Sequence, residues 1–222
     1  ITVAPDSLVS TLEPNGAEVQ TLVIGNTGGS ALAWTATRSR DLEGIRILWL
    51  RNHGQESPAS HSSVVAGLEA RGAQVDLSVG ALTPDQLAST DIVWTRTFSQ
   101  PWLPAEISAL GPWLRDGGGL LCESDEGLAY MNALLSAMGA GITFVSPGTA
   151  AGTTTQIYPH EVTTGVAALY LPSPLARLSL SQQAVLLANS VTGHASLACS
   201  EVGDGRIVAL NDELLADNAL AA

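Results

Sequence analysis

The sequence predicts an α/β domain with a largely parallel sheet from about residue 45 onward, preceded by a short β-rich segment. Three observations carry that prediction. Compact apolar runs of strand length recur between residues 45 and 122, stretches of helical period separate them, and residues 1–40 alternate strands with turn residues and carry no helical period. The chain is accordingly divided into a β segment over 1–40 and an α/β domain over 41–222, with Arg38-Ser39-Arg40-Asp41 as the polar joint.

The elements follow in order. Residues 1–8, 18–25 and 31–38 read as strands, separated by Pro14-Asn15-Gly16 and Asn26-Thr27-Gly28-Gly29. Beyond the joint, Ile45-Arg46-Ile47-Leu48-Trp49-Leu50 is a strand, and residues 60–71 place Val64, Val65 and Leu68 at helical spacing before Gly72 stops the helix. Residues 74–77 form the second strand. Thr83-Pro84-Asp85-Gln86 opens a short helix with a capping threonine and a proline at its first position. The third strand covers 91–95, and a helix over 104–116 presents Ile107, Leu110 and Leu114 before Gly117-Gly118-Gly119 ends it. Leu120-Leu121-Cys122 is the fourth strand, followed by a helix over 127–138. The remaining stretch is richer in strand candidates, at 153–158, 184–188, 196–201 and 205–210, and Val202-Gly203-Asp204-Gly205 joins the last two as a hairpin. Strand–helix alternation implies right-handed crossovers and a sheet covered on both faces, partly antiparallel at its end.

Composition narrows the classes of function. With 45% hydrophobic and 14% charged residues the chain has the make-up of a folded domain, not of a disordered one. The net charge is −12 and the sequence contains no lysine, so its surface repels phosphate backbones and nucleic acid is excluded as a partner. No apolar run approaches the roughly 20 residues of a membrane span. The opening Ile1-Thr2-Val3-Ala4-Pro5 lacks the basic and apolar regions of a signal peptide, and the sequence reads as a mature form or an excised piece. Cys122 and Cys199 each sit in an apolar stretch and read as two buried thiols.

Candidate site residues come from the fold. In open α/β sheets ligands bind beyond the carboxyl ends of the strands. Those ends lead into His53 and Gln55, Arg96, Glu123 and Asp125, and Asp212. These six are the predicted ligand-binding rim, against the competing reading that loops are polar for solvation alone. The four histidines, His53, His61, His160 and His194, show no metal-ligand spacing, so neither a metal nor a cofactor is expected. Trp102, between Pro101 and Leu103, is the tryptophan expected to be exposed, free to stack on a sugar or a partner protein.

Two resemblances add to this reading. Val3-Ala4-Pro5, the Pro14-Asn15-Gly16 turn and Gly25-Asn26-Thr27-Gly28 followed by Ala31-Leu32-Ala33-Trp34 resemble the opening of bacterial immunoglobulin-like modules, covering three of the roughly seven strands such a sandwich needs. Residues 45–213 resemble the class I glutamine amidotransferase-like superfold, nearest its non-amidotransferase, trehalose-utilisation-like branch. That likeness rests on Ile47-Leu48-Trp49 leading to His53-Gly54-Gln55, on Trp113-Leu114-Arg115-Asp116-Gly117-Gly118-Gly119, on Pro159-His160-Glu161-Val162, and on Gly205-Arg206-Ile207-Val208. It implies a flavodoxin-like arrangement. It also implies a nucleophile–base set at Cys122, His160 and Glu161, from which the chain departs. Cys122 is flanked by Leu121 and Glu123 instead of glycines, and His160 and Glu161 are contiguous where the family separates them by a residue. The expected function is therefore a non-catalytic binding or assembly module of an extracellular or cell-envelope bacterial protein, self-associating through its N-terminal strands or taking a protein, carbohydrate or small-molecule partner. A hydrolase or amidotransferase-like enzyme is the alternative.

Overall fold

The computed structural model describes residues 2–4, 21, 23–29, 42–53, 58–96, 99–124, 126–172, 176–181 and 183–211. The chain divides into two compact units, Ile1–Arg40 and Asp41–Ala222. In the first, β1 (Thr2–Ala4) pairs antiparallel with β2 (Val23–Gly25), Val3 opposite Ile24. The third strand expected there, the sandwich reading that needs it and the joint over 38–41 lie outside the described residues.

The second unit opens with β3 (Arg46–Leu50), a short 3-10 turn over Pro58–His61 and α1 (Ser62–Glu69), then β4 (Gln74–Ser78). Helix α2 (Pro84–Leu87) starts as the sequence predicts: Thr83 and Gln86 cap one another, and Pro84 occupies the first turn. Strand β5 (Ile92–Arg96), α3 (Pro104–Arg115), β6 (Gly119–Glu123) and α4 (Leu128–Met138) complete the alternating part. After it come β7 (Ile142–Val145), β8 (Gly152–Thr154), a 3-10 turn over Glu161–Thr163, β9 (Leu169–Leu171), β10 (Arg177–Leu180), β11 (Ala184–Asn189), β12 (Ala195–Val202) and β13 (Gly205–Leu210).

Among the described residues seven strands form one sheet in the order β11-β12-β13-β6-β5-β3-β4. From β4 to β13 every neighbouring pair is parallel, and β12 and β11 add antiparallel strands at the far edge. This is a flavodoxin-like α/β sheet. The β12–β13 hairpin turns at Gly203, whose φ of +64° suits glycine, and it docks on the end of α3. There Asp204 N–H donates to Arg115 O at 2.9 Å, and a Cβ on Gly205 would run into the carbonyl of Leu114.

One face of the sheet carries Leu48, Leu50, Val93, Leu120, Cys122, Ile207 and Ala209 against Leu110 and Leu114 of α3 and Met131, Leu134 and Leu135 of α4. The other is covered in two parts. Val64, Val65 and Leu68 of α1 lie over Ile47, Trp49 and Trp94. Leu171, Leu169, Val162 and Ile157 lie over Cys199, Leu197, Val208 and Leu210. Strands β7, β9 and β10 belong to small two-stranded pairs, β7 with β10 and β8 with β9. The strand expected over 153–158 is shorter, three residues of β8 followed by a lone bridge from Ile157 to Ala188 on β11. Among the described residues no helix is long and apolar enough to cross a membrane.

Candidate functional site at the carboxyl edge of the sheet

The chain steps from β3 outward to β4 and then returns to the other side of β3 for β5. Such a reversal opens a crevice between the carboxyl ends of the two central strands, because their connections leave in opposite directions. One group of described residues at this edge clusters around a single carboxylate. Glu106, in the first turn of α3, is fully buried. Its Oε1 accepts from Asn52 Nδ2 at 2.7 Å and from Leu82 N–H at 2.9 Å, and its Oε2 accepts from Leu103 N–H at 2.8 Å. The loops after β3 and β4 and the entry to α3 thus meet on a single side chain.

His53 completes this cluster. Its Nε2 lies 3.4 Å from Oε2 of Glu106, and its ring stacks on Trp102 at 4.0 Å between centroids. The ring is 2% exposed, and burial lowers its pKa from the ordinary value of 6.5. Glu106 and the backbone of Gln100 and Pro101 pull the other way with less effect, so the neutral ring prevails. Trp102 is itself buried, which corrects the expectation that it is exposed. Pro104 begins α3 two residues later and turns the chain so that the indole folds back over His53.

A second buried cluster sits on the α1 side. Trp49 and Trp94 stack with centroids 4.6 Å apart, His61 packs against both rings, and Trp94 Nε1–H donates to Oε2 of Glu123 at 2.8 Å. Arg96 stands opposite Glu123 in the β5–β6 register, and both are buried. Among the described residues, every buried charged or imidazole side chain (His53, His61, Arg96, Glu106 and Glu123) lies at this edge or in the segments leading from it. The amide oxygens of Asn52 and of Asn211, which follows β13, are buried at the same edge and accept no hydrogen bond from the described residues.

Of the predicted rim, His53, Arg96 and Glu123 come to one edge of the sheet, while Gln55, Asp125 and Asp212 lie outside the described residues. The residues implied by the amidotransferase resemblance do not meet. Cys122 points into the α3/α4 core, where burial and then the adjacent Glu123 push its thiol far up. His160 serves the opposite face: its Nε2 lies 3.7 Å from Sγ of Cys199, a member of the other core, and Glu161 pairs with Arg206. The Cys199 thiol is also pushed up, chiefly by burial. Both cysteines are free. Among the described residues no three histidine, cysteine or acidic side chains are grouped to hold a metal ion. A cavity of about 440 Å³ lies beside Tyr158, His160 and Thr163.

Sequence reasoning missed Glu106, Asn52 and His61. Glu106 reads as an ordinary acidic residue at a helix start, and its one sequence signal is the reach back from the third helical position to the backbone before the helix.

The sequence matches no protein-family model and no curated protein. Solved structures do match. The mmIFT52 N-terminal domain aligns with a TM-score of 0.65 at 18% identity, over 79% of this chain and 90% of that one. A ThuA-like protein from Bacteroides uniformis aligns with a TM-score of 0.55 at 12% identity, over 86% and 89%. A GMP synthase component from Thermoplasma acidophilum aligns with a TM-score of 0.51 at 14% identity, over 79% and 88%. At these identities the likeness carries the fold alone, a class I glutamine amidotransferase-like fold.

Proposed function

We propose that the protein is a non-catalytic binding module that takes a small polar ligand, a carbohydrate among the candidates, at the carboxyl edge of its sheet, over the crevice between β3 and β5. The observation that carries this reading is the gathering of the described buried charged groups at that one edge, since burying charge is costly unless the fold uses it. The unsatisfied amide oxygens of Asn52 and Asn211 support it, because buried acceptors of this kind are completed by water or by a ligand's donors.

Catalysis is the less favoured reading. Among the described residues, the arrangement nearest to a nucleophile and base is the thiol–imidazole contact of Cys199 and His160. His160 Nδ1 accepts a hydrogen bond from Val162 N–H, so the neutral ring carries its proton on Nε2 and has no lone pair to receive the thiol proton. The trehalose-utilisation-like branch of the superfold, which is not tied to amidotransfer, fits this reading. Residues 1–40, by their immunoglobulin-like pattern, then form a spacer or a self-associating segment of an extracellular or cell-envelope protein.

The test is a screen of uncharged sugars, amines and amino acids against ¹⁵N-labelled protein. Binding that shifts the amides of Asn52, His53, Arg96, Ser124 and Asn211 is the expected result. Shifts confined to the cavity at His160, or none with any compound, would overturn the ligand site. Turnover of glutamine or a simple ester that disappears in Cys122→Ala or Cys199→Ala would overturn the non-catalytic reading.

A further inference from the structure

His160 stands at the start of the Glu161–Thr163 turn with extended backbone (φ −159°, ψ 158°), and its ring does the work of a cap. Nδ1 accepts from Val162 N–H at 3.1 Å. The same turn is held by Thr163 Oγ1, which donates to Tyr158 O at 2.7 Å and to His160 O at 3.1 Å. On its other edge the ring approaches Cys199 Sγ at 3.7 Å. With Nδ1 occupied as an acceptor, the single ring hydrogen of the neutral form is on Nε2 and faces the sulfur.

A second proton has one place to go, Nδ1, where it would meet the Val162 N–H donor to donor. We infer that His160 is a proton-sensitive cap, whose protonation releases the turn over residues 160–163 from the sheet. The titratable and charged groups around the pair are Glu161 on the turn, Cys199 and Glu201 on β12 and Arg206 on β13, and Tyr158 precedes it. Arg206 pairs with both Glu161 and Glu201.

The position of the turn gives the change a consequence. His160, Thr163 and Thr164 line the cavity of about 440 Å³, while Val162, with Leu121 and Val208, walls an apolar cavity of about 320 Å³. The turn thus borders both, and its His160 ring lies against the buried Cys199 thiol. Releasing it alters both cavities and uncovers the thiol.

Two measurements test this. In the wild-type protein above neutral pH, ¹⁵N shifts should identify the Nε2–H tautomer of His160, and the Nδ1–H tautomer would overturn the inference. Hydrogen exchange should show the Val162 amide losing protection about tenfold between roughly pH 7.5 and pH 5. In His160→Asn, whose side-chain carbonyl caps without titrating, that protection should stay flat. Protection that is constant in the wild type, or that falls equally in both proteins, would overturn it. If the variant does not fold, the tautomer and the wild-type protection decide.

Discussion

Nε2 of His53 lies 3.4 Å from Oε2 of Glu106, with both side chains almost wholly withdrawn from solvent. The contact joins the loop after β3 to the first turn of α3, the two segments that border the crevice between the central strands. Because the same carboxylate also accepts from Asn52, Leu82 and Leu103, it sets the relative position of three loops at the edge where a ligand is proposed.

Glu106→Gln should therefore destabilise the fold out of proportion to its small change in shape. Whichever way the amide lies, its nitrogen faces a backbone or side-chain donor that the carboxylate had accepted. Losing those charge-assisted bonds and leaving buried donors unpaired costs about 3 kcal/mol. Urea unfolding checks it, and a midpoint close to the wild type's would mean that the carboxylate does not tie the loops.

The lowered pKa of His53 makes a signed prediction for pH. Burial holds the folded-state value below the ordinary 6.5, so the unfolded chain binds more protons between those two values. Stability from this residue is then complete above the unfolded value and falls as the pH drops from there toward the folded one. His53→Gln should remove this part of the acid loss. Thermal melting of both proteins across the interval gives the difference, and parallel curves would contradict it.

What could be read from the chain beforehand follows from period and length. Strand β3 and helix α1 announce themselves because Ile47 and Trp49 alternate and Val64, Val65 and Leu68 share one helical side. Strand β9 is three residues and β7 four, too short to establish a period, and β10 lies just after Pro172 and Pro174, which read as loop. At the site, strand ends pointed to His53, Arg96 and Glu123, which the edge does hold. Glu106 escaped because its partners other than Leu103 come from 24 to 54 positions away along the chain, and no local pattern records such pairings. His160 escaped as a cap because an imidazole is not among the usual capping side chains.

Cys122 offers a contrast between two substitutions. Its thiol packs among leucines of the α3/α4 core and is fully buried. Cys122→Ala should cost about 1 kcal/mol, since it removes one buried atom. Cys122→Ser should cost more, about 1–3 kcal/mol, because it brings a hydroxyl into the same apolar surroundings. A native-state thiol reagent near neutral pH should label Cys122 only at the rate of global unfolding. Rapid labelling would mean an accessible thiolate and would revive a nucleophilic role.

The last prediction concerns the division of the chain. The Asp41–Ala222 unit has a sheet of seven described strands with apolar residues on both faces, and the described residues of its cores form three apolar clusters within that unit. A core that closes on its own residues does not need a foreign segment to fold. Deleting residues 1–40 should therefore leave the α/β unit folded, with a cooperative melt within about 3 °C of the parent, a shift that corresponds to roughly 1 kcal/mol in a domain of this size. The β1–β2 pair is different in kind, because two short strands are marginal without further strands or a covered face. If residues 1–40 complete themselves by pairing with another copy, deletion should also convert a self-associating protein into a monomer, read by size-exclusion chromatography with light scattering. An unfolded deletion product would place these strands in the main core, and an unchanged oligomeric state would remove self-association from their role.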